Sequence, residues 1–211
     1  MITLHDMRVS GNCYKVRLLL ALLGIPFKSI AIEPSAGQSQ TPEFLAMNPK
    51  ASVPFIAFED GRTLSESNAI LLHFAEGTRF LPQQSFERAK VYEWLFYEQY
   101  YHEPQIAVRI ALSTIPERQN QATPERMAAL LEGGNRALAV MEKALAETAF
   151  IAGDGYSIAD IALYAYTHKA EKGGYDLRLF PALSHWLDRV RAVPGHVGMD
   201  WLPESSAAAP A

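Results

Sequence analysis

Three short runs in the first third of the chain carry residue types suited to holding and activating a small ligand. The first is Ser10-Gly11-Asn12-Cys13, at the entry to an apolar-patterned segment. A nucleophile or activating hydroxyl at the mouth of a helix works beside unpaired N–H groups and the positive end of the dipole, which favour an anion. The spacing is that of a C-x-x-C redox motif with serine in the first place. Ser10 reads either as an activating hydroxyl or as a plain N-cap. Cys13, inside the helix, reads as a small buried apolar residue. The second run is Val53-Pro54. Proline in a strand-like run lacks the ladder N–H and belongs at an edge or a bend. A cis bond there would turn the Val53 N–H and C=O outward, to pair with an extended peptide as one more strand; an ordinary trans proline at a strand start is the competing reading. The third is Ser65-Glu66-Ser67, where a helix is expected to open. Its N–H groups suit a carboxylate, the Ser67 hydroxyl adds a donor, and Glu66 can pair with an ammonium. The competing reading is a Ser65 cap with Glu66 complementing the dipole. A ligand carrying both a carboxylate and an amino group would use all three of these residues.

A fourth run, Ser157-Ile158-Ala159-Asp160, has the form of a capping box. Serine bonds the N–H of the acid, and the acid reaches back to the N–H of the serine, so Asp160 is expected to be structural.

The elements that would position these runs follow from apolar spacing. Ile2–His5 and Phe27–Ile32 read as strands. Between them Val16, Leu19, Leu20 and Leu23 fall at i, i+3, i+4 and i+7 of a helix over Asn12–Leu23, closed by Gly24 and Pro26. Thr41-Pro42-Glu43 opens a short helix that Asn48-Pro49 ends. Val53–Phe58, the Asp60-Gly61 turn and Thr63-Leu64 read as a hairpin, and a last helix runs from Ser65 to Gly77. The order βαβαββα is that of a compact α/β domain. From Phe86 onward strand signals vanish. Helices are expected over residues 86–115, 125–146, 158–170 and 181–192. The expected domains are 1–80 and 86–202 with a linker near Leu81–Ser85, followed by a small, polar tail over 203–211 that is expected to be disordered.

Composition excludes several classes. The chain has 211 residues, 19 Lys plus Arg against 23 Asp plus Glu, and no basic run, which argues against a nucleic-acid binder held by bulk charge. With one cysteine no intrachain disulfide is possible. Met1–Asp6 lacks a basic region followed by an apolar run, and no apolar stretch approaches membrane-spanning length, so a cytoplasmic protein without a membrane partner is expected.

Taken in order, Ser10, Asn48-Pro49, Val53-Pro54, Leu64-Ser65-Glu66-Ser67-Asn68-Ala69-Ile70 and Gly155-Tyr156-Ser157-Ile158-Ala159-Asp160 resemble a cytosolic glutathione transferase of the theta-related bacterial kind. The likeness covers residues 1 to about 200. It implies a thioredoxin-like N-terminal domain, a helical C-terminal domain, glutathione as co-substrate with no permanently bound cofactor or metal, and a homodimer. Carried over by position, Ser10 would donate a hydrogen bond to the glutathione sulfur, supported by Asn12. Val53, ahead of a cis Pro54, would pair with the cysteinyl backbone, and Glu66 and Ser67 would hold the γ-glutamyl ammonium and carboxylate. Relatives grip the glycine carboxylate with His after the second strand and Lys or Gln before Val-Pro. Here Ser39 and Ser52 hold those positions, with Gln38, Gln40 or Lys50 as substitutes. The Ser-Ser-Cys cluster of the maleylacetoacetate-isomerase subgroup is absent.

The first helix of the second domain holds Tyr92, Trp94, Phe96, Tyr97, Tyr100 and Tyr101, expected mostly in core or dimer interface. Tyr101, His102, Ile106 and Arg109 are expected to wall the second-substrate pocket. The implied activity is transfer of the glutathione thiolate to a small electrophilic, largely apolar substrate. Glutathione-dependent disulfide reduction is one alternative. A non-catalytic binding or regulatory protein of the same fold is another, favoured by the two serines at the glycine-carboxylate positions and opposed by Glu66 and Ser67.

Overall fold

A computed structural model describes residues 1–204; residues 205–211, most of the expected disordered tail, lie outside the described residues. The chain forms two compact units, one of Met1–Glu76 with the segment from Pro194 onward, the other of Gly77–Val193.

The first unit is an α/β layer built on a four-stranded sheet in the order β2-β1-β3-β4, from β1 (Ile2–Asp6), β2 (Phe27–Ala31), β3 (Phe55–Ala57) and β4 (Thr63–Ser65). β1 runs parallel to β2 and antiparallel to β3, and β3 is antiparallel to β4. The period-2 alternation sends Leu4 and Ile56 to one face, where they pack with Val16 and Leu20 of α1 (Gly11–Leu22) and Ile70 of α3 (Ser67–Ala75). It sends Phe55 to the other face, against Phe44 of α2 (Pro42–Met47) and Ile32. Gly24, at φ 65, ends α1 as its spacing predicts, with the Ile25 N–H returning to the Leu20 carbonyl.

The last helix of this unit starts later than expected. Ser65 is still in strand β4, and the N-cap position falls on Glu66, at φ 73, with no side chain capping the helix. The segment from Pro194 is a second departure. It was expected to belong to the helical domain up to residue 202 and then to a disordered tail. Instead the Tyr14 hydroxyl donates to the Val197 carbonyl at 2.8 Å, Arg17 donates to the Met199 carbonyl at 2.9 Å, and the Trp201 ring lies 6.2 Å from Phe27. Buried donors on α1 need acceptors, and this segment provides them.

The second unit is helical: α4 (Ser85–Tyr97), α5 (Glu103–Thr114), α6 (Pro124–Glu147), α7 (Ile158–Thr167) and α8 (Pro181–Arg191). Every residue of α7 is buried. The capping box forms as expected: Asp160 accepts the Ser157 N–H at 2.9 Å and also ties in the Ile151 N–H and the Trp186 indole, each at 2.8 Å. The single helix expected over 86–115 is in fact α4 and α5 joined by a π-helical turn over Glu98–His102. Pro104 has no N–H for the carbonyl four residues back, and the turn before it widens.

Candidate functional site

Register brings the three chemical runs to one end of the first unit's sheet. His5, near the end of β1, pairs with Phe55 at the start of β3, and Phe55 pairs with Ser65 at the end of β4. Hence the loop from β1 to Ser10, the Val53-Pro54 pair and Glu66-Ser67 all emerge at that end. β2 is parallel to β1, so the loop carrying Gln38 and Gln40 leaves there too.

Ser10 is the N-cap of α1: its Oγ accepts the Cys13 N–H at 3.3 Å. The hydroxyl proton has no partner among the described residues, so capping leaves Ser10 able to donate. Both readings of Ser10 are thus compatible. Cys13 is fully buried, and burial pushes its thiol up to about 12, which leaves it protonated and unreactive.

The Val53-Pro54 bond is cis. Val53 lies just outside β3 and its backbone has no hydrogen-bond partner among the described residues. On the same sheet edge His5 stacks on Phe55, centroids 4.0 Å apart, with Phe44 edge-on at 6.1 Å. Burial lowers the imidazole to about 4, so it is neutral at pH 7.

Glu66 is the more informative member of the third run. A non-glycine residue at φ 73 is strained, and such strain persists where the surroundings impose it, commonly at ligand sites. The Ser65-cap reading is overturned: Ser65 lies in β4, and the N-cap position falls on Glu66, whose side chain makes no capping hydrogen bond. The Glu66 carboxylate, about half exposed, pairs with the Lys50 ammonium at 2.7 Å. Ser67, only 6% exposed, donates to Asn12 Oδ1 at 3.3 Å and accepts from the Lys15 ammonium at 3.4 Å. Lys15 also donates to Asn68 Oδ1 at 3.4 Å.

Lys15 was not among the expected site residues. The signal was present: with every residue of α1 from Val16 to Leu22 apolar except Arg17, a lysine in its second turn is apt to be buried and partnered. Which partner it finds, 52 positions away, is not in the spacing.

Among the expected glycine-carboxylate groups, Ser52 and Gln40 are exposed and Ser39 is buried. The Gln38 side-chain oxygen accepts the Glu33 N–H at 2.7 Å and so braces its own loop.

Of the four residues expected to wall the second-substrate pocket, two are fully buried within the helical unit and one is exposed. His102 and Ile106 are fully buried, and the His102 Nε2 meets Thr167 Oγ1 at 2.8 Å. Arg109 is held by the main-chain carbonyls of Gly173 and Met127. His102 and Ile106 shape the interior of the helical unit, and Arg109, half-buried, braces its main chain. Tyr101 is exposed and clusters with Tyr97 and Tyr100, at 5.4 and 4.8 Å between centroids. Among the described residues no group of side chains is suited to a metal ion, and no helix is long and apolar enough to cross a membrane.

Comparison with known proteins matches residues 9–76 to the glutathione S-transferase N-terminal domain and residues 103–194 to the glutathione S-transferase C-terminal domain. The chain is similar to the disulfide-bond oxidoreductase YfcG of Escherichia coli (strain K12), 30% identical over 87% of either chain. Its structure is similar to that of a glutathione S-transferase from Pseudomonas fluorescens [Pf-5], with a TM-score of 0.91 and 44% identity over 94% of this chain and 98% of the other. A glutathione transferase family member from Pseudomonas fluorescens pf-5, solved with two glutathione bound, superposes with a TM-score of 0.79 at 25% identity, over 92% of this chain and 89% of the other.

Proposed function

The chain belongs to the glutathione S-transferase family, and from that premise we propose that it activates the thiol of glutathione for attack on a small electrophilic, largely apolar substrate. The observation that carries this reading is the convergence of Ser10, Val53 and Glu66-Ser67 at one end of one sheet. Those groups match three parts of one tripeptide. The Glu66 carboxylate meets the γ-glutamyl ammonium, while Ser67 and the positive N-terminus of α3 meet the α-carboxylate. The Val53 main chain pairs with the cysteinyl backbone. Ser10 donates to the sulfur, with Asn12 beside it. The glycine end falls to Gln40, Ser52 and Lys50.

A free thiol ionises near pH 8.5, so only a small fraction is thiolate at neutral pH. The Ser10 hydroxyl and the positive end of α1 favour the anion and raise that fraction. The thiolate then forms a carbon–sulfur bond while the leaving group departs with its electron pair, and the thiol proton goes to solvent. A homodimer working in the cytoplasm accompanies this reading.

A second reading is favoured by the likeness to YfcG. In it the thiolate attacks a disulfide, forming a mixed disulfide and releasing a thiolate. A second glutathione then resolves the mixed disulfide, leaving oxidised glutathione and the second thiol. One assay separates the two: glutathione is supplied with an aryl halide and, in parallel, with a small disulfide. The transferase reading expects turnover of the halide. Turnover of the disulfide alone would replace it with the second reading, and turnover of neither would sink both.

A further inference from the structure

We propose that Lys15 is a positioning residue that sets the polarity of the α3 N-terminus, making Ser67 a donor toward its ligand and so selecting a carboxylate there. The inference rests on the glutathione reading above and adds a residue and a selectivity to it.

The ammonium of a lysine has three donors and no acceptor. Lys15 has no solvent exposure, and its Nζ lies 3.4 Å from Ser67 Oγ and 3.4 Å from Asn68 Oδ1. A hydroxyl approached from behind by a donor-only group has to accept there, and its single proton is directed elsewhere. In this structure that proton goes to Asn12 Oδ1 at 3.3 Å, an acceptor. An incoming ligand group replaces this acceptor only if it can itself accept. A carboxylate offers acceptors alone and carries the negative charge that the Lys15 ammonium favours, whereas a carboxamide is neutral and can take the Ser67 proton only through its one oxygen. The Asn68 carbonyl is turned toward Lys15 by the same ammonium.

The long 3.4 Å contacts add a second argument. Tight charge-assisted bonds run nearer 2.7–2.9 Å, so Lys15 works through its fixed charge and donor sense more than through one strong bond. A buried cation beside the first residues of α3 adds its field to that of the helix N-terminus, where little solvent screens it. No ligand atom needs to touch Lys15, which is why it is not a catalytic residue. Asn12, the present acceptor of the Ser67 proton, belongs to the segment that opens with Ser10. The same charge is therefore coupled to both ends of the γ-glutamyl-cysteinyl unit.

The test is calorimetric binding of two probes, glutathione and its analogue with the γ-glutamyl α-carboxylate converted to a carboxamide. The wild type is expected to prefer the carboxylate by about tenfold or more, as a hydrogen bond to a charged group would give. Lys15→Met keeps the volume and removes both donor and charge. It is expected to raise KM for glutathione about tenfold with kcat at saturation little changed, and to reduce the preference to about twofold or less. Lys15→Gln, which can both donate and accept, is expected to bind the two probes nearly equally and keeps the test open if Lys15→Met does not fold. Lys15→Arg, again donor-only, is expected to restore part of the preference. A folded variant without the lysine that keeps the full wild-type preference would overturn the proposal. So would a wild type that binds glutathione without preferring the carboxylate, leaving the glutathione reading standing. A wild type that binds neither probe would overturn both.

Discussion

In the glutathione reading Ser10 donates to the thiolate and Ser67 to the α-carboxylate, and alanine at each position separates the two roles. Loss of Ser10 removes a donor to the thiolate, so kcat is expected to fall about ten- to a hundredfold while the glutathione dissociation constant changes little. The α1 cap goes with it, at about 1 kcal/mol of stability. Loss of Ser67 is expected to weaken glutathione binding by about 1–3 kcal/mol in calorimetric titration, with kcat at saturation retained. Unchanged activity in the first variant, or an unchanged titration in the second, removes that assignment. His5 carries the pH prediction. Its ordinary value of 6.5 drops to about 4 on burial, so the unfolded chain binds the extra proton between those values. The stability of the neutral form is complete above pH 6.5 and lost as pH falls toward 4, by up to about 3 kcal/mol. His5→Phe retains the stack on Phe55 and should flatten that acid limb in urea unfolding at pH 4.5 against pH 7. A limb as steep as the wild type's would assign it to other groups. Ser10, Glu66 and Ser67 were legible as candidates because local type and order single them out. Lys15 was not, because its role depends on a contact across the sheet end that no local spacing encodes.

Helix boundaries set the side-chain directions of α5 and the start of α3. A helical period carried from α4 into α5 assumes one continuous helix. The π-helical turn at Glu98–His102 inserts extra backbone, and one residue rotates every later side chain by roughly 100°. After the turn His102 and Ile106 are buried, Arg109 is half-buried and held by main-chain carbonyls, and Tyr101 is exposed. At α3 the helix starts later than expected. Propensity favours a serine cap at Ser65, but the β4 ladder holds Ser65 and leaves Glu66 at positive φ. The α7 entry was read in full, because a capping box is a local device whose partners are three residues apart. Asp160 does more there than the box requires, binding Ile151 and Trp186 as well. Burial pushes its carboxyl up, opposed by those four hydrogen bonds. Asp160→Ala leaves three N–H donors and a hydroxyl unpaired in the core, so a loss of at least 3 kcal/mol is expected, at about 1 kcal/mol or more for each. Denaturant unfolding measures it. A loss below 1 kcal/mol would mean that the surroundings re-pair these groups.

The two-part organisation was visible in the sequence because strand signals stop at β4 and helical periods take over. The return of the chain to its first unit was not, since residues 194–204 carry neither period. What fixes that return is buried polarity on α1. Arg17 has no exposure; it pairs with Asp6, which also accepts from Ser29, and donates to the carbonyls of Arg8 and Met199. An arginine so deep requires its acceptors, and one of them lies in the returning segment. The Tyr14 hydroxyl imposes the same demand through Val197, and Trp201 joins the cluster of Leu4, Val16, Leu20 and Phe27. The helix held in this way is the one that carries Ser10 at its cap and Lys15 in its second turn. A chain ending at Val193 is therefore expected to lose two hydrogen bonds at about 1 kcal/mol each and the partial burial of Trp201 at about 1–2 kcal/mol. It should also bind glutathione more weakly although no expected ligand contact has been removed. A chain ending at Glu204 keeps every one of these contacts and is the control. Hydrogen exchange read on the α1 amides locates the effect: faster exchange there in the Val193 truncation, with the control unchanged, ties the site to the returning segment. Equal exchange in α1 and equal glutathione affinity in the two truncations would show that α1 holds its own position, and that the segment merely covers it.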